Sequence, residues 1–200
     1  MGFLLRLATY AFHPLIIPSL AWMLFMLVQP NQSMSFLFKF SYKEIFLFTL
    51  IIPAMIWIYL KLSRRISDWQ ISKVEQRRLP LILYAACLIA LLYIGKLNYI
   101  VPLKAFIYGL LCSISISGLV SFLKIKVSLH QLGISAITIF IICLSIYFHI
   151  ELLSYISISI LANGLVASSS LYLKRHTPKE VALGFMLGAI PQLYLVGYWL

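Results

Sequence analysis

The sequence predicts an all-α integral membrane protein, a single bundle of six to seven transmembrane helices. Three observations lead there. Hydrophobic residues make up 62% of the chain and charged residues 10%, against about 25% charged in soluble domains. That leaves too little polar surface to cover a water-facing globule. Apolar stretches recur at the length that crosses a hydrocarbon core, about 20 residues rising about 1.5 Å each. No stretch alternates as a membrane β-barrel strand does, and a lipid-immersed backbone that must satisfy its own hydrogen bonds is then helical.

The stretches long enough to cross lie at about 10–28, 44–61, 80–96, 100–122, 130–149, 152–173 and 181–200. The first follows a lone Arg6 and has the outline of a signal peptide. Pro14 and Pro18 interrupt it, and no small-x-small cleavage site closes it, so a retained span is expected. The Met-Gly start is not a myristoylation signal, because Arg6 stands where serine or threonine is required. The second, "EIFLFTLIIPAMIWIYLK", is apolar around one proline, Pro53. The third is short and opens at Pro80, where a basic loop ends. The fourth and fifth are apolar runs with scattered serines, Ser113, Ser117 and Ser135 among them. The sixth ends in a serine run, and the seventh carries Gly184 and Gly188, a small-xxx-small pair suited to close helix contact. No linker or composition shift divides the chain, so residues 1–200 read as one domain. Cys87, Cys112 and Cys143 lie far apart inside apolar stretches and read as packing residues, not as a disulfide framework. Trp22, Trp57, Trp69 and Trp199 suit interfacial or packing roles.

The loops divide charge unequally. "KLSRRISDWQISKVEQRRLP", "LKIKVSLH" and "KRHTPKE" fall on the side of the amino terminus. With Arg6, that side holds Lys61, Arg64, Arg65, Lys73, Arg77, Arg78, Lys124, Lys126, Lys174, Arg175 and Lys179, twelve of the 16 basic residues. Lys39, Lys43, Lys96 and Lys104 fall on the other. The positive-inside rule would put the rich side in the cytoplasm, whereas an anion-binding face would gather the same charges for another reason, so sidedness is left open. A multi-pass protein of a bacterial inner membrane is the expected setting.

Few groups could do chemistry. The acids are Glu44, Asp68, Glu75, Glu151 and Glu180, and the histidines His13, His130, His149 and His176. None of the acids lies mid-span, where an ion or proton relay would need one, so a transporter finds little support. His13 and His149 read as interfacial anchors. Span parity brings His130, His176 and Glu180 to the basic face, a set suited to phosphoryl chemistry: cations hold phosphate oxygens, one imidazole attacks phosphorus and another protonates the leaving oxygen. His176 and Glu180 are four apart, so on a helical face the carboxylate meets the imidazole and fixes its tautomer. Ser128 and His130 stand at a helix mouth, where free amides favour an anion. Two histidines and one carboxylate among many cations make a thin metal-ligand set, so no metal or other cofactor is expected.

These stretches resemble a known family. "SSLYLKRHTPKE" is similar to the third signature of the type 2 phosphatidic acid phosphatase superfamily, S-R-x5-H-x3-D. "VSLH" resembles its second, P-S-G-H, and "KVEQRRLP" a loose form of its first, K-x6-R-P. The resemblance covers roughly residues 61–190 and is strongest in the third motif. It implies the family's membrane bundle and hydrolysis of a lipid phosphate monoester or pyrophosphate, of the phosphatidic acid, phosphatidylglycerol phosphate or isoprenyl pyrophosphate class. His176 would be the nucleophile of a phosphohistidine intermediate, Glu180 its orienting acid and His130 the general acid. Ser128 and Arg78, with Lys73 or Arg77, would bind phosphate. The implied partners are the lipid substrate and the membrane, with homo- or hetero-oligomers allowed and no nucleic acid.

The departures weigh on the site. Ser170 stands where the family has a phosphate-binding arginine, Leu129 replaces a glycine and Val127 a proline. Leu79 separates Arg78 from Pro80, and Lys73 lies five before Arg78. Serine cannot reproduce a guanidinium's planar fork, although Lys174, one turn on, could supply a point charge. A non-catalytic relative, acting as a membrane subunit or lipid-binding scaffold, is therefore the alternative reading.

Overall fold

The computed structural model describes residues 12–29, 42–68, 71–95, 97 and 100–200. Arg6, Lys39, Lys96, Trp69 and the first residues of the expected 10–28 span lie outside these. Among the described residues seven helical segments follow in order: α1 Ile17–Val28, α2 Tyr42–Leu62, α3 Glu75–Ile94, α4 Val101–Phe122, α5 Leu129–Phe148, α6 Leu153–Tyr172 and α7 Pro178–Tyr198. Six of them, α2 to α7, are long and apolar enough to cross a membrane. The chain is therefore an all-helical, multi-pass membrane protein by length and composition. α1 is shorter, because Pro14 sits in a turn and Pro18 occupies the first turn of the helix.

Proline also marks the starts of α4 and α7, where Pro102 and Pro178 fill first-turn positions whose N–H would have no partner. In α2 the ladder widens to a π-turn over Leu47–Ile51, just before Pro53. Pro53 cannot donate to the carbonyl four residues back, and the Ile52 N–H reaches Leu47 instead.

α5 is the axis of the bundle. In its most apolar 18-residue window 67% of residues are buried, against 22% for α2, so α2 lies at the lipid-facing margin. α7, α6, α4 and α1 all pack on α5, and α3 packs on α4. Phe106, Ile107, Leu110, Phe140 and Leu144 fill the centre.

Small residues set how closely these helices approach. A Cβ on Gly184 would strike the Ser128 carbonyl, and one on Gly188 the Leu132 carbonyl and Ser135 Oγ, so the small-xxx-small pair lies directly on α5. On Gly109 of α4 rests the Gln192 side chain, which donates to the Phe106 carbonyl at 3.1 Å. Polar groups add direction between α5 and α6: the Asn163 amide donates to Thr138 Oγ1 at 2.7 Å and accepts from Gln131 Nε2 at 2.9 Å. Gly188→Ala should lower stability in detergent by about 1–3 kcal/mol, since a backbone carbonyl must move. Gly164→Ala, with nothing near its added Cβ, should be neutral or stabilising by up to about 1 kcal/mol through helix propensity. Thermal unfolding of the two variants side by side checks this.

Candidate anion site at the basic face

Four chain segments converge where α6 gives way to α7. The turn Lys174–Thr177 connects the two helices, the α4–α5 loop carries Lys126 to Ser128, Arg77 lies in the first turn of α3, and His13 precedes α1.

The α6–α7 turn is shaped by capping. Thr177 is the N-cap of α7 and Glu180 its third residue, and the two form a capping box: Thr177 Oγ1 accepts from the Glu180 N–H at 3.4 Å, and Glu180 Oε2 accepts from the Thr177 N–H at 3.4 Å. The same carboxylate oxygen lies 2.8 Å from His176 Nδ1. A carboxylate can only accept, so Nδ1 carries the proton and Nε2 presents its lone pair. Side-chain exposure is 8% for His176 and 22% for Glu180, so the ring is held from behind and reached along an edge.

Hydrogen bonds tie the loops to one another, to this turn and to the start of α7. Arg77 is 8% exposed and donates from Nε to the Ile71 carbonyl and from Nη1 to the Val127 carbonyl, each at 2.8 Å. The Lys126 ammonium donates to the Arg175 carbonyl at 2.7 Å. The Ser128 N–H donates to the Glu180 carbonyl at 3.2 Å. Burial pushes the Lys126 ammonium below its ordinary value, and the Arg77 charge adds to that. Burial also pushes the His176 imidazole well below the ordinary histidine value; the Glu180 hydrogen bond opposes this, and the charges of Arg77 and Lys126 reinforce it. His176 is therefore neutral at pH 7, with an unprotonated Nε2 in a cationic field.

A shallow depression of about 510 Å³ opens beside the ring, lined by Lys174, Arg175, His176 and Glu180 and by the apolar Leu171. Of the residues singled out from sequence, His176, Glu180 and Lys174 thus come together. His130 does not line the depression. Its ring stands edge-on to His13, centroids 5.6 Å apart. Ser128 is the N-cap of α5 but makes no side-chain cap bond, and its fully buried hydroxyl has no partner. Arg77 is committed to the two carbonyls. Arg78 donates to the Ser121 carbonyl at 3.3 Å and lies 4.5 Å over the Phe122 ring, against α4. Lys73 is exposed in the α2–α3 loop. Ser170 is buried, its carbonyl accepting from the Arg175 and His176 amides.

His13 joins this cluster. Expected as an interfacial anchor, its ring lies between His130 and Trp57, 5.3 Å from the latter, and Leu15 N–H donates to its Nδ1 at 3.4 Å. The signal was its position at the start of a span opening on the basic face. Among the described residues no group of three or more histidine, cysteine or acidic side chains could hold a metal ion.

Compared with known protein families, characterised proteins and solved structures, the chain matches none.

Proposed function

We propose that the chain is a membrane lipid phosphatase that cleaves a phosphate monoester or pyrophosphate at the bilayer surface, in a bacterial inner membrane. The observation that supports it most is the neutral His176, braced through Nδ1 by Glu180, on the wall of a depression rimmed by Lys174 and Arg175. The apolar Leu171 in its lining suits a substrate whose chains stay in lipid while its head group enters. In the first half-reaction the Nε2 lone pair forms a bond to phosphorus as the phosphorus–oxygen ester bond breaks, its electron pair leaving on the lipid oxygen with a proton from a general acid. In the second, water attacks the phosphohistidine, the phosphorus–nitrogen bond breaks, and inorganic phosphate departs. His130 is the candidate proton donor; since its ring is not on the wall of the depression, its replacement is the weaker test of mechanism.

A lipid-binding scaffold without catalysis is favoured by different observations: Arg77 and Arg78 are both engaged with carbonyls, and Ser170 offers no guanidinium. Phosphate release from phosphatidic acid, phosphatidylglycerol phosphate and undecaprenyl pyrophosphate in detergent separates the two. Release from at least one substrate that disappears in His176→Ala supports the enzyme; binding without release from any supports the scaffold.

A further inference from the structure

Three helices that run toward the basic face end in the same way, and the ending is unusual. After α2, α4 and α6 the chain enters the left-handed region at Arg64 (φ 57°), Lys124 (φ 60°) and Lys174 (φ 50°). Each is closed by the same pair of bonds. Arg64 N–H donates to Lys61 O and Arg65 N–H to Leu60 O; Lys124 to Ser121 O and Ile125 to Val120 O; Lys174 to Leu171 O and Arg175 to Ser170 O, all between 3.0 and 3.3 Å. This is the Schellman closure, whose left-handed residue is most often glycine, because a side chain there crowds the backbone. The chain contains 9 glycines, and none of the described ones has a positive φ. At the opposite face α5 ends with His149 (φ 53°) in the left-handed position, not with lysine or arginine. The long cations are thus kept at one level of the molecule in a backbone position that disfavours them.

Their surroundings say which medium they meet. Leu62 is 77% exposed and Leu123 72%, and each lies one or two residues before its cation. Side chains that apolar and exposed belong in acyl chains, so the cation following them stands at head-group level. Arg64, Lys124 and Lys174 are exposed, and among the described residues none makes an ion pair with a carboxylate.

We propose that Arg64, Lys124 and Lys174 form a belt that binds the phosphodiester head groups of anionic phospholipids in the leaflet at the basic face. The bundle is thereby held at a fixed depth, with the His176 depression at the lipid–water boundary. Lys174 also lines that depression, but Arg64 and Lys124 do not, so the R64N/K124N test stands or falls separately from the catalytic reading.

The test uses the full chain in phosphatidylcholine nanodiscs, titrated with short-chain phosphatidylglycerol. Asparagine tolerates the left-handed region, so R64N/K124N removes charge while keeping the closure. The double variant should lose apparent affinity for phosphatidylglycerol by about fivefold per cation, adding K174N should extend the loss, and thermal stability in pure phosphatidylcholine should hold. For the wild-type protein, raising salt from 0.05 to about 0.5 M should weaken the preference for phosphatidylglycerol, a result independent of any variant's folding. The proposal is overturned if the double variant binds phosphatidylglycerol as the wild type does, or if the wild type does not distinguish it from phosphatidylcholine. Salt-insensitive preference, or inorganic phosphate competing as well as the lipid, overturns it equally.

Discussion

Replacing His176 with alanine is expected to lower phosphate release by about 10⁴-fold or more, the scale on which enzymes lose rate with their nucleophile, while leaving the bundle folded. The ring contributes one hydrogen bond, to Glu180, and the α7 capping box survives without it. Glu180→Gln offers a graded comparison: it keeps the shape but no longer compels Nδ1 to carry the proton, so the rate should fall by about 10²–10⁴ with little change in substrate affinity. The pH dependence follows from the direction of the His176 shift. Its folded-state pKa is depressed by burial, by Arg77 and by Lys126, so the unprotonated ring persists below the ordinary value of about 6.5. The acidic limb of a pH–rate profile should therefore lie well below pH 6.5, and an acidic limb near 7 would assign the titration to another group. For stability the sign is the same: the unfolded chain takes up this proton first, so the contribution is complete above about pH 6.5 and is lost as pH falls toward the depressed folded value.

Arg77→Ala is expected to have the largest effect on stability. Its guanidinium joins the α2–α3 loop at Ile71 to the α4–α5 loop at Val127, through two 2.8 Å bonds at 8% exposure. Removing it leaves both carbonyls without that donor, a loss of about 3 kcal/mol. Arg77→Lys supplies a point charge without the fork and should recover only part of it. The separating measurement is the relative effect of Arg78→Ala, whose partly buried guanidinium makes a longer 3.3 Å bond and a ring contact. Equal losses at 77 and 78 would contradict the assignment of the loop clamp to Arg77.

Much of this architecture is legible in the sequence, because a helix crossing lipid needs a fixed length of apolar residues and little else. The errors have local causes. The third helix was expected from Pro80 but begins at Glu75, because Arg77 and Arg78 find carbonyl partners and can enter the helix with their charge. The first was expected from about residue 10, which lies outside the described residues; among those described, helix begins at Ile17, after the turn at Pro14. The last begins at Pro178 rather than 181, and here the signal was present: T-P-K-E is a capping box with proline at its first helical position.

The site was legible in part. His176 and Glu180 meet because four residues is one turn, a local relation. The roles of Arg77 and Arg78 are not local: adjacent and chemically identical, they diverge because one faces the Val127 carbonyl and the other Phe122. The contact of His13 with His130 joins residues far apart in the chain. Nothing in either segment's periodicity encodes that meeting beyond a shared membrane face.

If His176 attacks phosphorus, the covalent intermediate can be trapped. Protein quenched during turnover of a radiolabelled lipid phosphate should carry acid-labile, base-stable phosphate on His176, and His176→Ala should carry none. Turnover without that label, or label and turnover retained in His176→Ala, would exclude His176 as the nucleophile.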